Sequence, residues 1–381
     1  MLVRPKTPAD EEKFFDIRAV VYNSGNPIPP ENWPSKYGRH YAAIESDRVV
    51  GGYSVLDLPT VVGSSVVPGV GVAAVAVPPD ERGGVGTRMM KACVRQSREE
   101  GAALSQLFAF RETFYRRAGY ETAGARLEVT VRADRFPKIT SSLPIRRLGP
   151  EAWPELAECH RLFTMRRPGG VIRTGELMWQ RITAEGRPLQ IYAAGDPVEA
   201  YAVVGHKTDF WSVDSIGEVV WSTRAGYEAI LGVLRGIAVN KQGLKWFEPA
   251  NGPMTTIFSD QAVDVTATHP AMYRALDVPK LLATLRAESE TEFTVTVHDE
   301  TIPENTGPWR VIARPDECIV EKSNTDPHGS KIVFTEKTFI QAILGMPSLE
   351  ELAQDGWVEG TNPLGYTKVF PARNVYLLER Y

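Results

Sequence analysis

The fold is decided by residues 70–90, which read Val-Gly-Val-Ala-Ala-Val-Ala-Val-Pro-Pro-Asp-Glu-Arg-Gly-Gly-Val-Gly-Thr-Arg-Met-Met. Val72–Val77 is a short apolar run rich in β-branched residues, which predicts a buried strand. The two prolines that follow end this strand, because neither can donate a hydrogen bond to a sheet. From Val85 apolar residues recur at helical spacing up to Glu100. The stretch therefore predicts a strand, a glycine-rich turn and a helix.

The turn Arg82–Thr87 has the composition of an anion-binding loop. Its glycines let backbone N–H groups approach an anion closely, and the start of the following helix adds a favourable dipole. Such a turn suits a pyrophosphate. Taken alone, it is equally consistent with an ordinary glycine-rich connection between a strand and a helix.

A second motif follows about twenty-five residues later. Ala103–Phe110 is predicted as the next strand, and residues 113–120 then read Thr-Phe-Tyr-Arg-Arg-Ala-Gly-Tyr. Together the two motifs resemble the GNAT N-acetyltransferases, namely their acetyl-CoA pyrophosphate motif (Arg/Gln-x-x-Gly-x-Gly/Ala) and their Phe-Tyr-x-x-x-Gly-Phe signature. Glu81 departs from the first motif, where Arg or Gln is usual, so Arg82 and the backbone would have to hold the phosphates.

Composition excludes several classes of protein. The chain has 381 residues, enough for two or three domains, and its 43% hydrophobic and 24% charged residues are typical of a soluble globular protein. A net charge of −4 without any Lys/Arg block argues against a nucleic-acid partner. Neither an eighteen-residue apolar run nor a secretory signal is visible. We therefore expect a cytoplasmic protein without a membrane or nucleic-acid partner.

The cysteines and histidines indicate no metal site. Cys93, Cys159 and Cys318 are odd in number and far apart, so they are expected to be small buried hydrophobes in a reducing compartment. No Cys-x-x-Cys or His-x-x-x-His spacing occurs, and we expect no bound metal. The histidines are scattered and are interpreted as surface or hydrogen-bonded residues: His40, His160, His206, His269, His298 and His328.

The first third of the chain fits the resemblance. Leu2–Arg4 predicts a strand, Thr7–Asp10 a helix start, and His40–Ile44 with Val49–Leu56 a hairpin. Residues 124–133 alternate with period two and are predicted to close this sheet. In the GNAT fold the segment after the first helix covers the acyl-acceptor site, so four residues are candidates to line the substrate or simply to pack a lid: Tyr22, Asn23, Trp33 and Tyr37.

The middle of the chain repeats this order. A strand at 143–147, a helix to Phe163, a hairpin over 191–204, a strand at 216–220 and a helix at 227–239 follow one another. The turn at 222–226 has a single glycine and lacks Arg-Gly-Gly-x-Gly. We interpret this part as a degenerate copy that does not bind CoA. Its core is expected to contain Trp211, Trp221 and Trp246.

The last part predicts an α+β domain. Ala271–Val278 is predicted to start a helix that continues through Leu285, followed by strands at 291–298, 309–313 and 318–321 and a helix at 335–344. This segment looks like a sterol-carrier-type domain. With two tandem GNAT folds it resembles the Eis (enhanced intracellular survival) family, as does the phrase Met-Tyr-Arg-Ala-Leu-Asp-Val at 272–278. The predicted fold class is α/β (α+β), with domains at 1–136, 137–268 and 269–381.

An amine N-acetyltransferase has three chemical tasks, and the first is to hold its co-substrate. The resemblance implies acetyl-CoA, with its pyrophosphate on the Arg82–Thr87 turn. The backbone of residues 75–77 would pair with the pantetheine arm and polarise the thioester carbonyl. The predicted cofactor-binding residues are Val75, Ala76, Val77, Arg82, Gly83, Gly84, Val85, Gly86, Thr87, Arg88, Phe110 and Arg111.

The other two tasks move protons. Tyr115 is the predicted proton donor to the leaving thiolate, since a phenol stays protonated at pH 7. Tyr120 is the second candidate and is more simply interpreted as a core residue. In the Eis family the carboxylate of the last residue acts as the base, which here implies Tyr381. Without that resemblance the terminus would be interpreted as frayed.

The acceptor is implied by the resemblance and by little else. Eis-family members acetylate amines of polycationic molecules such as aminoglycosides, and they form hexamers. We therefore expect a homo-oligomer whose acceptor is a polyamine-like or aminoglycoside-like primary amine or a lysine side chain. The penultimate residue is Arg380, where an acid would help to hold a cation. Two alternatives are a non-catalytic CoA-binding regulatory protein and a lipid carrier that uses the last domain.

Overall fold

The structure is a computed structural model that describes residues 1–29, 38–175, 179, 189–205, 211–258, 263–268, 271–323 and 331–379. Its residues group into two units, each built from separate parts of the chain. The first unit comprises Met1–Gly124, Ala271–Arg373 and Glu379. The second comprises Ala125–Pro270 and Asn374–Leu378. No helix in the described ranges is both long and apolar enough to cross a membrane.

The described residues form both helices and strands, as the mixed α/β prediction requires. The helices are α1 (Glu11–Tyr22), α2 (Val85–Glu99), α3 (Glu112–Arg116), α4 (Trp153–Met165), α5 (Arg224–Ile237), α6 (Met254–Ile257), α7 (Val278–Leu282), α8 (Glu336–Leu344) and α9 (Leu349–Gln354). The strands are β1 (Leu2–Pro5), β2 (Arg39–Glu45), β3 (Arg48–Asp57), β4 (Thr60–Val62), β5 (Ser65–Val67), β6 (Gly69–Ala76), β7 (Leu104–Leu107), β8 (Glu121–Thr122), β9 (Arg126–Arg132), β10 (Ile145–Leu148), β11 (Leu189–Ala194), β12 (Ala200–Gly205), β13 (Val213–Trp221), β14 (Gly243–Pro249), β15 (Val263–Thr268), β16 (Met272–Ala275), β17 (Thr291–His298), β18 (Trp309–Ala313), β19 (Cys318–Lys322), β20 (Lys331–Thr335) and β21 (Glu359–Gly360).

The first unit is organised around the mixed sheet β1-β2-β3-β6-β7-β16-β8. Strand β16 lies between β7 and β8 and runs antiparallel to both. The prediction of a helix from Ala271 through Leu285 is therefore wrong over its first turn. All four residues of β16 are buried, so neither face of this segment is exposed to water, as expected for a strand in the middle of a sheet. The helix begins later, at Val278, where the side chain of Asp277 caps it.

The second unit contains the sheet β10-β11-β12-β13-β14-β9-β15. Residues 126–132 form a strand as predicted, but the expectation that they close the first sheet is wrong. Strand β9 pairs antiparallel with β14 and β15 in the second sheet. Trp221 and Trp246 are buried in the core of this unit as predicted, whereas Trp211 is exposed.

In each of the two large sheets, two neighbouring parallel strands are paired only over part of their length. The ladder of β6 and β7 covers only Gly69–Gly71 on β6, although β6 continues to Ala76. Where β6 pairs with β3, Ala73 lies opposite Ser54 and Ala76 lies opposite Gly52, so β6 has one residue more than β3 in this interval. Ala74, in the same interval, has a φ of +49°. This extra residue is a β-bulge. Strands β13 and β14 likewise pair only at their starts, over Val213–Ser215.

A third sheet, β19-β18-β17-β20-β21, completes the first unit together with α8 and α9. Aromatic rings fill its core. Phe293 lies 4.7 Å from Tyr366 between ring centroids, and Phe370 lies within 6.0 Å of both Phe293 and Phe334. Cys93 and Cys159 are buried as predicted, but Cys318 in β19 is half-buried.

A buried ion pair connects β16 to the rest of the first unit. Arg274 and Asp299 are both almost completely buried, and Arg274 Nη2 donates to Asp299 Oδ1 at 2.6 Å. The same guanidinium donates from Nε to the carbonyl of Ala118. A Cβ at Gly119, where φ is +82°, would lie 2.6 Å from this Nε. The glycine of the Phe-Tyr-x-x-x-Gly signature is therefore required here by Arg274.

Removing the carboxylate of this pair would leave a buried positive charge without its partner. We expect Asp299→Ala to lower the free energy of unfolding by ~3–5 kcal/mol, measured by urea denaturation. The matched control is Glu292→Ala, which breaks the exposed pair with Arg310 and should cost less than ~1 kcal/mol. Equal losses for the two variants would contradict this role of the Arg274 pair.

The second unit contains a buried acid. Glu248 at the end of β14 is fully buried, and its Oε1 accepts hydrogen bonds from the Tyr227 hydroxyl and from Trp246 Nε1. Its Oε2 has no hydrogen-bond partner in the part of the chain that the structure describes. Burial raises the pKa of Glu248 from 4.5 to about 7, against these two donors and the charge of Arg167. The folded protein therefore holds a proton here that the unfolded chain releases near pH 4.5.

This proton makes stability depend on pH. Because the folded-state pKa of Glu248 is raised, its contribution is fully present below pH 4.5 and is lost as the pH rises through about 7. We expect the free energy of unfolding to fall by about 3 kcal/mol across this range through this residue. Glu248→Gln should remove this contribution to the pH dependence of the free energy of unfolding, measured by urea denaturation at pH 5 and 8. The control Glu155→Gln, which changes an exposed acid, should leave this pH dependence unchanged. An unchanged slope in Glu248→Gln would contradict the assignment.

Candidate active site

The candidate site is a cavity of about 580 Å³ in the first unit. It lies where α1 ends, where β6 continues beyond its pairing with β7, and where α2 and α3 begin. Its described lining consists of Val21, Tyr22, Val75, Val77, Arg82, Gly83, Gly84, Gly86, Thr87, Phe110, Arg111, Thr113, Phe114 and Arg117.

The glycine-rich turn presents free backbone N–H groups to this cavity. Gly83 and Gly84 have φ values of +128° and +102°, which side-chain-bearing residues rarely adopt. Gly84 is the N-cap of α2; no side chain of the described chain caps this helix, and its first turn contains no acid. The first N–H groups of a helix have no partner inside it. With the helix dipole they form a site for an anion.

Three arginines add positive charge to the same cavity. Arg82, Arg111 and Arg117 line it, are exposed, and form no ion pair with any residue that the structure describes. The described lining includes no carboxylate. Glu81, which departs from the family motif, lies 3.3 Å from Arg48 Nη1 and is not among the lining residues. The turn therefore keeps its positive character despite this acid.

Most of the predicted cofactor-binding residues line the cavity, and three do not. Ala76 and Val85 are buried in the core. Arg88 donates from Nη2 to Glu45 Oε1 at 2.7 Å instead. The cavity thus includes the turn and the strand end, while the cofactor-binding role of all twelve residues stays a prediction.

Several lining residues were not singled out from the sequence. Phe114 and Arg117 lie within the motif at 113–120, where attention fell on Tyr115. A Cβ added to Gly86 would lie 2.9 Å from the Phe114 ring, so this glycine lets α3 pack closely against the start of α2. The signal was the glycine itself, because a third glycine after the two positive-φ residues indicates a close approach.

Tyr22 connects α1 to the bulged strand. Its hydroxyl donates to the carbonyl of Val75 at 2.6 Å, directly after the bulge at Ala74. Asn23, the next predicted lining residue, instead donates from Nδ2 to the carbonyl of Asn26. Trp33 and Tyr37 lie outside the described residues. Of the two candidates that the structure describes, Tyr22 lines the cavity and Asn23 does not.

A polar chain lies behind this wall. Arg18, one helical turn before Tyr22, is buried and donates from Nη2 to Ser54 Oγ at 2.6 Å. Ser54 Oγ lies 2.7 Å from His40 Nδ1. Burial lowers the pKa of Arg18 to about 9, and burial followed by the charge of Arg18 lowers the pKa of His40 to about 4. His40 is therefore neutral at pH 7.

Tyr115 lies directly behind the lining residues. Only 3% of its surface is exposed, and its ring centroid is 4.8 Å from that of Phe114 and 5.5 Å from that of Phe110. Its hydroxyl makes no hydrogen bond to a described residue. Burial raises the pKa of Tyr115 above its ordinary value, and the nearby Tyr22 and Cys93 act in the same direction. The phenol is therefore protonated throughout the physiological range.

The remaining candidates divide between the core and the undescribed part of the chain. Tyr120 is completely buried, and its hydroxyl lies 2.7 Å from Ser105 Oγ, which satisfies it within the core. Tyr381 and Arg380 lie outside the described residues, as do His206, His269 and His328. No group of His, Cys, Asp and Glu among the described residues is arranged to hold a metal ion.

The counterpart turn in the second unit is built differently. Helix α5 starts after Thr223, whose side chain accepts a hydrogen bond from the backbone N–H of Gly226. The Thr223 hydroxyl in turn donates to Glu199 Oε2 at 2.6 Å. The first turn of this helix is thus capped by a side chain and lies beside an acid, and neither feature favours an anion.

Comparison with solved structures shows the same fold over the whole chain. A GCN5-related N-acetyltransferase from Anabaena variabilis is 18% identical with a TM-score of 0.87, and the match covers 100% of both chains. A GCN5-related N-acetyltransferase from Kribbella flavida is 20% identical (TM-score 0.83; 100% of this chain, 98% of that chain). Eis1 from Mycobacterium abscessus is 19% identical (TM-score 0.79; 100% of both chains). The predicted Eis-like architecture is confirmed at the level of the fold.

Two family models match the sequence itself. Residues 2–123 match the model of the acetyltransferase (GNAT) domain, and residues 278–378 match that of the sterol carrier protein domain. A sequence comparison with curated proteins finds no match. The first match contains the cavity, the glycine turn and Tyr115. Residues 2–123 thus match a GNAT acetyltransferase domain and residues 278–378 a sterol carrier protein domain, with the second unit's sheet lying between them in the sequence.

Proposed function

We propose that this protein transfers the acetyl group of acetyl-CoA directly to a primary amine. The observation that carries this proposal is the uncapped turn Arg82–Thr87, which opens with three arginines onto one cavity. That cavity also reaches the open edge of β6 and lies beside a protonated phenol. The combination suits a phosphate-bearing acyl donor and a reaction that ends with proton transfer.

The residues present fit acetyl-CoA. The free N–H groups of α2 and Arg82 would hold the pyrophosphate, and Arg111 and Arg117 supply further positive charge. Beyond Gly71, strand β6 pairs with no described strand on its β7 side, so an extended pantetheine arm could pair there as an added strand. When bound, acetyl-CoA supplies an activated acetyl group as a thioester.

Proton transfer is assigned to two residues. In the reaction a C–N bond to the amine forms and the C–S bond of the thioester breaks, so the amine loses a proton and the thiolate gains one. Tyr115 is suited to supply the second proton, because burial keeps its hydroxyl protonated. The terminal carboxylate of Tyr381 would take the first proton, directly or through water.

Chain length supports the role of the terminus. Glu379 belongs to the first unit, which contains the cavity, and it is buried there. Tyr381 follows it by two positions, a length of chain that spans at most about 7 Å. This course of the described chain supports the proposal that the terminal carboxylate acts in the first unit.

The acceptor is proposed to be a primary amine of a polyamine-like or aminoglycoside-like molecule, or of a lysine side chain. The described lining adds a constraint, because it contains arginines and no carboxylate. An amine approaching this wall is disposed to lose its proton, since nearby positive charge disfavours the ammonium form. Release of CoA thiol measured over polyamines, aminoglycosides and lysine peptides would identify the acceptor.

We further propose one cofactor site per chain. The capped turn at Thr223 supports the interpretation of the second unit as a degenerate copy of the fold. The domain boundaries at 136 and 268, the cytoplasmic location and assembly into hexamers are proposed from the family resemblance. Calorimetry should therefore find one CoA per chain.

The lipid-carrier alternative is less well supported. Among the described residues, one cavity that borders the last part of the chain, beside Ile343, Val369 and Phe370, measures about 40 Å³. Sites for small ligands usually measure at least ~300 Å³. The regulatory alternative, CoA binding without turnover, is separated from catalysis by the amine panel described above.

Loss of the phenol should slow the chemical step. We expect Tyr115→Phe to lower kcat by ~100-fold while the KM for acetyl-CoA changes little, because the hydroxyl acts on the leaving thiolate. The control is Tyr120→Phe, which removes a hydroxyl satisfied by Ser105 and should keep kcat within about threefold. An unchanged kcat in Tyr115→Phe would remove this residue from the mechanism.

Loss of charge at the glycine turn should weaken cofactor binding. We expect Arg82→Ala to raise the Kd for CoA about tenfold, which corresponds to the ~1.4 kcal/mol of one charged hydrogen bond. The matched control is Arg224→Ala at the counterpart turn of the second unit, where the guanidinium pairs with Glu228. Calorimetry of CoA binding to both variants shows which of the two turns holds the cofactor. A larger effect at Arg224 would refute the assignment of the cofactor site.

A further inference from the structure

The phenol proposed as the proton donor belongs to a very short helix. Helix α3 (Glu112–Arg116) makes little more than one turn, and isolated helices of this length are not stable in water. Tyr115 lies near its end, and the backbone N–H groups of Ala118 and Tyr120 both donate to the Tyr115 carbonyl, at 2.9 and 3.3 Å. The place of the Tyr115 phenol therefore depends on the contacts that hold residues 118–120 to the rest of the first unit.

One side chain of β16 holds this turn. Arg274 is completely buried, and its Nε donates to the Ala118 carbonyl at 3.1 Å. A Cβ at Gly119 would lie 2.6 Å from this Nε and 3.0 Å from Cζ, so the chain that leaves α3 lies against the guanidinium. Arg274 also lies opposite Ser105 in the ladder of β16 and β7, and Ser105 Oγ lies 2.7 Å from the Tyr120 hydroxyl. The turn after α3 is therefore fixed by side chains of two paired strands.

The guanidinium is itself fixed by the last part of the chain. Its Nη2 donates to Asp299 Oδ1 at 2.6 Å, and Asp299 directly follows β17, within the residues that match the sterol carrier protein domain. The backbone N–H groups of Thr301 and Ile302 also donate to Oδ1, and Asn305 Nδ2 donates to Oδ2 at 2.9 Å. The carboxylate is buried and accepts four hydrogen bonds, so it has little freedom to move. It determines where Arg274 can point.

We propose that Arg274 is a positioning residue for acetyl transfer: held by Asp299, it fixes the turn after α3 and thereby the phenol of Tyr115 behind the cavity wall. The proposal rests on the proposed function of Tyr115 as the proton donor. It gives the sterol carrier protein domain a role in the reaction, since this domain orients a group of the acetyltransferase domain instead of carrying a lipid.

The contacts require an arginine. One planar guanidinium donates in three directions, from Nε to Ala118, from Nη1 to the Ala275 carbonyl and from Nη2 to Asp299. Lysine would keep a positive charge beside Asp299, but its single nitrogen cannot hold these elements in a fixed geometry. A buried ion pair is often no more stabilising than well-packed apolar residues of similar size. A need for this geometry accounts for a charged pair at this place better than stability does.

Loss of the arginine should affect the chemical step more than binding. A displacement of about 1 Å near a reacting atom can lower a rate ~100-fold, because a proton donor must lie within hydrogen-bond reach of the atom that it protonates. The residues that accept hydrogen bonds from Arg274 are not among the described lining residues of the cavity. The glycine turn should therefore still bind CoA when Arg274 is changed.

A double-mutant cycle tests this proposal. Arg274→Lys is made in the unchanged chain and in Tyr115→Phe, and kcat and the KM for acetyl-CoA are measured with the amine that the panel identifies. We expect Arg274→Lys to lower kcat at least tenfold with KM within about twofold, and to have little further effect in Tyr115→Phe. The matched control is Arg173→Lys, which changes the equally buried pair of Arg173 and Glu218 in the second unit. It should keep kcat within about threefold.

A second readout reports on the phenol directly and needs no acceptor. Tyr115 is replaced with 3-fluorotyrosine, whose fluorine NMR signal depends on the surroundings of the ring. We expect the chemical shift of this signal to change in Arg274→Lys and to stay the same in Arg173→Lys. Asp299→Asn keeps the shape of the side chain and removes its charge. It replaces Arg274→Lys in both experiments if that variant fails to fold, and it should give the same results.

The outcomes separate this proposal from the proposed function. If Tyr115→Phe leaves kcat unchanged, the phenol is not the proton donor and the positioning role fails with it. If Tyr115→Phe lowers kcat but Arg274→Lys lowers it by the same factor in both backgrounds, the phenol remains the donor and the positioning role is refuted. An unchanged kcat in Arg274→Lys, or a fluorine signal at the same shift as in the unchanged chain, would also refute it.

Discussion

The candidate site depends on a constraint of the sheet, namely that β6 and β7 stop pairing after Gly71. Backbone groups at an unpaired strand edge must find other partners if they are removed from water. The bulge at Ala74 marks the change, and the Tyr22 hydroxyl satisfies the carbonyl of Val75 directly after it. The rest of that edge faces the cavity. A sheet with continuous pairing would offer neither the cavity nor the free edge.

The region beside the unpaired strand ends differs between the two units. In the first, glycine at the N-cap of α2 leaves the helix start open, and arginines surround it. In the second, Thr223 caps α5, and aromatic rings with Glu248 occupy the region between the strands. The same topology thus serves as a binding site in one unit and as a core in the other. The difference is set by a few side chains at the ends of two helices and two strands.

The sequence predicted those parts of the fold whose signals are local. The strand, turn and helix at 70–90 and the hairpin turn at Ser46-Asp47, where both φ values are positive, follow from neighbouring residues. Strand β16 was missed because four buried residues have no distinctive period, and its partner β7 lies more than 160 positions earlier. Alternation identified β9 as a strand but could not identify its sheet, which depends on distant pairing.

The prediction of site residues was limited in the same way, because contacts between distant parts of the chain are not visible in the sequence. The glycines and Arg82 were found because a turn carries its chemistry in consecutive residues. Phe114 and Arg117 were not, since their place on the cavity wall depends on how α3 packs against α2. Arg88 is not among the described lining residues and pairs with Glu45, a contact across the fold that nothing in its neighbourhood in the sequence reveals.

The position of β16 also affects biosynthesis. The first sheet needs a strand that the ribosome produces only after the whole of the second unit's sheet, about 150 residues later. At ordinary rates of translation this interval is about 10–30 s, during which β7 has an exposed edge. Such an edge can pair with another nascent chain. The N-terminal part of this protein therefore emerges incomplete, and its final shape is reached only when the C-terminal part arrives.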